Sequence, residues 1–405
     1  MHQNHLKKRY AILSLGVFTM LFSGILYAWS ILKAPFAEIY GFTPSELSLN
    51  FTLTMSCFCI GGFLASRLAR RIGVRATLLV SAPLAGLGFA LAALVGARGP
   101  ILLYLTYALM GGLGIGMAYI VIISSVNAWF PDRKGLSSGA LMMGFGLSTL
   151  LLGNLADALF DGRLGFKGTF IAIGLALLVT LTVAALFIRT PAPDAVFPEP
   201  KKKIAAKGED FEARDFRPGE MVRRFTFWRA FLALVCLTAV GSSVISFARD
   251  LALSLDAGAS LATSLVGILA VCNGLGRILT GAVFDAMGRK FTMISASALT
   301  VFAAGVTLLS VGVGSLALLI VGLCLTGLSY GTSPTVSAAF TSAFYGRKHF
   351  ATNLSISNFN LMVAAFVATA CSALLSSSGG YTVPFLLLLA LSLAALALNL
   401  TIKRP

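Results

Sequence analysis

The chain has 405 residues, of which 57% are hydrophobic and only 11% charged, with a mean hydropathy of +0.89 and a formal net charge of +16. Soluble domains carry about a quarter charged residues, so a soluble globular fold is excluded and the chain reads as a polytopic membrane protein. The basic excess follows a topological pattern, described below, which removes the case for a nucleic-acid partner.

A spanning helix needs about 20 mostly apolar residues. Twelve such segments follow one another, at 10–32, 47–67, 76–96, 100–124, 136–158, 166–188, 228–248, 261–284, 291–312, 314–337, 350–374 and 380–401. Span 1 begins after the short basic tail KKRY and lacks a small-residue cleavage site, so it reads as a retained span and not a signal peptide. Span 2 ends in SRLARRIGVR and span 4 in AWFPDRKGLSSG. After span 6 the composition changes to TPAPDAVFPEPKKKIAAKGEDFEARDFRPGEM, too polar to cross a membrane and rich in Pro, Lys and acids, as a solvated connector is. Span 8 runs into GAVFDAMGRK, and span 10 ends in AFYGRKHFATN. The expected fold is an all-α membrane protein with twelve transmembrane helices in two pseudo-symmetric six-helix bundles. Residues 1–190 form the first bundle, 191–227 a cytoplasmic linker, and 228–405 the second bundle.

With the N-terminus placed inside, 25 of the 31 Lys and Arg fall on cytoplasmic segments. The outer loops hold five, Lys33, Arg98, Arg163, Lys167 and Arg249, and Arg277 remains. This is the positive-inside signature; it predicts cytoplasmic N- and C-termini and a multi-pass protein of the plasma membrane. Cys57, Cys59, Cys236, Cys272, Cys324 and Cys371 all fall within spans. They read as small core residues, without disulfides or metal.

The halves echo each other. Spans 4 and 10 each end in an aromatic pair followed by a basic turn, and spans 2 and 8 each end in a basic turn containing glycine. Parallel six-span halves are the layout of a rocker transporter with a substrate site near the midplane. Gly281-x-x-x-Asp285-x-x-Gly288-Arg289-Lys290 resembles the loop motif of the major facilitator superfamily, in which it pins neighbouring helix ends in one conformation through charge pairs. In the first half the acidic position is replaced within SRLARRIGVR. More narrowly, the chain resembles the oxalate:formate antiporter family and, more distantly, the monocarboxylate transporters. That resemblance is carried by YAWSILKAPF, GLGIGMAY, NAWFPDRKGLSSGALMMGFG, DFRPGEM, NGLGR and GLSYG.

None of the fifteen Asp and Glu lies deep in a span; Asp157, Asp250 and Asp285 sit at span ends, and His2, His5 and His349 are assigned to the cytoplasmic side. Arg277 is eight residues from Asp285, about 12 Å along a helix, so it lies somewhat inside the midplane. A charge there costs about 2.5–3.5 kcal/mol on insertion scales, and such charges line pathways or pair with one another. The structural alternative is a bond to a helix carbonyl or snorkelling to the inner surface. Asn273, Arg277, Thr280 and Phe284 share one helical face, with Gly274 and Gly276 leaving room beside it. A guanidinium offers a planar fork that matches a carboxylate, which points to an anionic substrate. The resemblance implies the same role for this span-8 arginine. It also marks two departures. The lysine that the oxalate carrier has in span 11 is missing here, which favours a monocarboxylate. Asn273 stands where the eukaryotic monocarboxylate transporters have a proton-coupling aspartate, and an amide does not titrate.

Tyr27, Trp29, Tyr119 and Tyr330 stand where the resemblance places cavity-lining residues; their ordinary alternatives are interfacial belts and helix packing. GGLGIG at 111–116 is not a dinucleotide loop, because it sits inside an apolar span with no preceding strand. No metal cluster, nucleophile triad or carboxylate pair appears, so neither an enzyme nor a cofactor is expected. The expected function is alternating-access transport of a small monocarboxylate of the lactate, formate, acetate or pyruvate type, by a monomer whose partners are that anion and membrane lipid. The alternatives are an oxalate or other dicarboxylate exchanger, and a non-transporting carboxylate sensor with the same fold.

Overall fold

The computed structural model describes residues 2–96, 99–192 and 214–402. The middle of the expected linker, 193–213, lies outside the described residues, as do Arg98 and the side chains of His2 and His5. Among the described residues every regular element is helical. This is what a lipid solvent demands, since a lone segment satisfies its backbone groups there only as a helix.

Among the described residues ten helices are long and apolar enough to span a membrane: Lys8–Leu32, Pro44–Ala92, Pro100–Asn127, Leu136–Phe160, Gly165–Phe187, Phe225–Leu253, Ser260–Val313, Leu316–Tyr345, Phe350–Ser378 and Thr382–Thr401. Two of them have twice the needed length, and each turns at a glycine of positive φ, Gly73 (86°) in one and Gly288 (76°) in the other. Dividing them there yields twelve spans in the expected order. Only glycine adopts such a conformation without a steric penalty. Both turns are tied in the same way, because Thr77 donates its hydroxyl to the Gly73 carbonyl (2.8 Å) and Thr292 to the Gly288 carbonyl (2.7 Å). GVRAT and GRKFT are thus one device used twice.

Several spans are less regular than their hydropathy predicts. Span 1 tightens into a 3-10 turn at Gly24–Ala28, and spans 4 and 5 widen to π geometry at Tyr104–Gly111 and Thr149–Gly153. Span 11 is interrupted at Asn358, between the helices Phe350–Ser357 and Phe359–Ser378. Such interruptions occur often at functional positions.

The chain divides into two compact units, Met1–Lys202 with Leu354–Ile356, and Lys203–Asn353 with Ser357–Pro405. In the second, Phe247, Leu251, Leu269, Leu323, Phe385 and Leu388 form a continuous apolar core from spans 7, 8, 10 and 12. Large apolar side chains such as Phe187, Phe225 and Leu400 are exposed, as suits surfaces that meet lipid. In the first unit Arg9 at the start of span 1 pairs with Asp132 in the turn after span 4 (2.9 Å), both side chains nearly enclosed. The Arg9 guanidinium also lies over Tyr10 and Phe130. None of the six cysteines forms a disulfide; Cys59 and Cys371 are buried and the other four half-buried.

Candidate functional site

In the second unit the 3.6-residue period of span 8 turns Asn273, Arg277, Thr280 and Phe284 to the interior together, and all four are buried. Arg277 is only 1% exposed and is the largest fully buried side chain among the described residues. Its Nε donates to Oδ1 of Asn273 at 3.1 Å. This one-turn bond, to a neutral amide, fixes the plane of the guanidinium, so Asn273 orients the group. Thr280 donates to the Gly276 carbonyl (2.6 Å), which removes its hydroxyl proton from other use.

Span 10 backs this face at backbone contact. A methyl on Gly331 would strike the Asn273 carbonyl and stand 2.9 Å from the backbone nitrogen of Arg277, and one on Gly276 would strike the Leu328 carbonyl. The room left by Gly276 is therefore taken by span 10 rather than left open beside the arginine. Thr335 donates to the Arg277 carbonyl at 3.4 Å. Residues 273–277 of span 8 thus meet residues 328–335 of span 10 backbone to backbone, and the arginine's backbone is held as well as its side chain.

Tyr330 is buried, its ring laid on the backbone of span 7 at Gly241, where a methyl would overlap the ring. One turn away on span 7, Thr238 donates to Oδ1 of Asn360 (3.1 Å) and, its one proton so used, accepts from the Ser333 hydroxyl (2.5 Å). Asn360 passes its amide proton to the Ser357 carbonyl (2.7 Å), beside the interruption at Asn358. Spans 7, 10 and 11 are thus joined by a buried polar network next to Tyr330. Sequence reasoning missed Thr238, Ser333 and Asn360. The run SISNFN (355–360), polar inside an apolar span, was the available signal.

In the first unit Tyr27 and Tyr119 meet on one ring, Phe145, at centroid distances of 5.5 and 5.3 Å. Phe58 packs on Tyr119 at 5.1 Å. Tyr27 lies in the 3-10 turn of span 1. Trp29 does not join them. Its indole donates to the Leu47 carbonyl (3.0 Å) and its ring packs on Tyr107 and Phe36, a helix-packing role at the start of span 2.

Within the loop motif Gly288 makes the turn, and Arg289 is buried with its guanidinium 4.6 Å from the centre of the Phe344 ring at the end of span 10. A cation–π contact therefore accompanies any charge pairing there. Gly281 is buried, Asp285 half-buried and Lys290 exposed. Asp157 and Asp250 are both exposed, as befits acids at span ends.

A sequence profile of the Major Facilitator Superfamily matches residues 12–294 and 231–405. The chain is 26% identical to the MFS-type transporter YhjX of Escherichia coli (strain K12), over 87% of this chain and 85% of that protein. It is 27% identical to the oxalate:formate antiporter of Oxalobacter formigenes, over 85% of this chain and 80% of that protein. Its fold matches the solved structure of the proton:xylose symporter XylE with a TM-score of 0.72 at 14% identity, covering 100% of this chain and 97% of that one. The chain belongs to the Major Facilitator Superfamily, as a multi-pass secondary transporter and not an enzyme.

Proposed function

We propose that the protein carries a small organic monocarboxylate across the membrane by alternating access, with Arg277 as the carboxylate ligand. The observation that carries this reading is a guanidinium enclosed in an apolar span and oriented by a neutral amide, in a chain whose acids all lie away from the span centres. The planar fork of a guanidinium matches a carboxylate with two parallel hydrogen bonds, which suits an anionic substrate. Asn273 and Tyr330 belong to the same proposed site. For the first unit the reading rests on the resemblance and is limited to Tyr27 and Tyr119; Trp29, engaged with Leu47, is left out of it. The Lys- and Arg-rich turns are assigned to the cytoplasmic side by the positive-inside rule, and the loop motif from Gly281 to Lys290 is assigned to conformational control.

The similarity to an oxalate:formate antiporter supports a second reading, exchange of a dicarboxylate. Labelled lactate or formate uptake into proteoliposomes, competed with oxalate, separates the two. The decisive test of the site is Arg277→Ala with Arg277→Lys. Loss of a desolvated, charge-assisted contact costs about 2–5 kcal/mol, or about 30-fold to several thousand-fold in affinity. Lysine keeps the charge without the fork and retains weakened binding. A folded Ala variant that binds formate and lactate as wild type does would return Arg277 to a structural role.

A further inference from the structure

The segment DFRPGEM ahead of span 7 has no part in the site above, yet two of its residues make four hydrogen bonds to the turn joining spans 10 and 11. Span 10 ends at Tyr345, whose carbonyl is one of the acceptors that a helix end leaves unsatisfied; it accepts from the Phe216 amide at 3.1 Å. Gly346 follows at φ 78° and turns the next two amides toward one point. There Oδ1 of Asp215 accepts from the amides of Arg347 (2.7 Å) and Lys348 (3.0 Å). The Phe216 carbonyl accepts from Nδ2 of Asn353 (3.1 Å), in the first turn of span 11. The Phe216 ring is buried edge-on to Tyr345 at 5.6 Å, with the guanidinium groups of Arg214 and Arg224 each 5.6 Å from its centre. The short helix Pro218–Val222 then leads directly into span 7.

We propose that Asp215–Phe216 is a releasable strap. Closed, it holds the ends of spans 10 and 11 to the entry of span 7, so that the three move as one; open, it frees the turn from Tyr345 to Lys348. Phe216 is its buried anchor. Asp215 is its release point, because it is solvent-exposed and grips through a single oxygen, so it lets go without unfolding a helix. The strap acts on the helix that backs Arg277, since Gly331 lies fourteen residues before Tyr345 in span 10, about 20 Å away. It therefore sets how fast the carrier changes conformation and leaves affinity for the carboxylate unchanged.

The test uses the purified full-length protein as wild type, Asp215→Ala and Asp215→Asn. Trypsin needs several residues of extended chain, which the closed strap denies it at Arg347 and Lys348, whose amides Asp215 holds; exposed Arg163, in the other unit, is the reference. With fragments mapped by mass, cleavage after Arg347 and Lys348, relative to Arg163, is expected to rise at least tenfold in Asp215→Ala and less in Asp215→Asn, whose amide oxygen still accepts. Ratios equal to wild type in both variants overturn the strap. Should the Ala variant unfold, seen as faster cleavage at Arg163 too, the Asn ratio decides alone. The second arm rests on the carrier reading: counterflow of labelled formate in proteoliposomes should change at least threefold in maximal rate at constant half-saturation. An unchanged rate with an opened strap overturns the conformational role. If wild type shows no flux for any small carboxylate, the carrier reading fails while the proteolysis arm still decides the strap.

Discussion

Replacing Asn273 by Asp keeps the size of the side chain and puts a carboxylate where the amide oxygen now stands, 3.1 Å from Nε of Arg277. Two unit charges about 4 Å apart attract by about 4 kcal/mol at an effective dielectric constant near 20. A substrate carboxylate must then compete with a built-in one for the same guanidinium. Because the internal pair also pays to desolvate the new charge, only part of that energy is lost to binding, and affinity for formate or lactate near pH 7.5 should fall about 10- to 100-fold. Acidification that protonates the new carboxyl should restore it, making binding pH-dependent where that of the wild type is not. Ligand-induced thermal shifts across a pH series measure this directly, since a ligand of the native state raises apparent stability by mass action. A folded Asn273→Asp protein that binds carboxylates as tightly as wild type at pH 7.5, with no pH dependence, would refute the claim that Arg277 keeps its charge for substrate.

Thr238→Val leaves Asn360 Oδ1 and the Ser333 hydroxyl without their shared partner and should destabilise the protein by about 1–3 kcal/mol; Thr238→Ser should recover most of it, both read as melting temperatures in one detergent. Asp132→Ala strands the enclosed Arg9 charge, at a cost of about 3–5 kcal/mol, visible as a lower melting temperature that Arg9→Met on the same background relieves. Asp215 is held below the ordinary carboxylate range, first by the Lys348 amide and also by that of Arg347 and the charges of His349 and Lys348, against a smaller opposing effect of burial. A depressed folded value means that the contribution is complete above the ordinary aspartate pKa, about 3.9, and is lost as pH falls through the lower folded one. The gap in melting temperature between wild type and Asp215→Asn should accordingly be constant from pH 7 to about 5 and close below about pH 4.

How much of the protein was legible before folding depended on the range of the interaction concerned. The spans were legible because each residue meets lipid or the bundle interior on its own account, and about 20 apolar residues declare a helix without reference to any other segment. The interruptions at Gly24–Ala28 and Asn358 were not, because a hydropathy window weighs composition and is blind to which carbonyl a given amide reaches. The double-length helices show both sides: Gly73 and Gly288 sit in turns that sequence placed correctly, while the threonine four residues on that ties each turn became visible only as a hydrogen bond.

In the site, the sequence by itself determined the charge and its face. Arg277 stands out because a guanidinium in an apolar span is costly, and Asn273 lies one turn away by the helical period alone. Tertiary structure decided the rest: that Gly276 receives span 10, that Trp29 turns to Leu47 while Tyr27 and Tyr119 meet on Phe145, and that Thr238 finds partners 95 and 122 residues away. It also decided that Asp215 grips a turn 132 residues further along. Short-range order follows from the local period and the solvent, whereas contacts between distant residues depend on how closely whole helices approach, and that is settled by the backbone packing of glycines against carbonyls that no single segment contains.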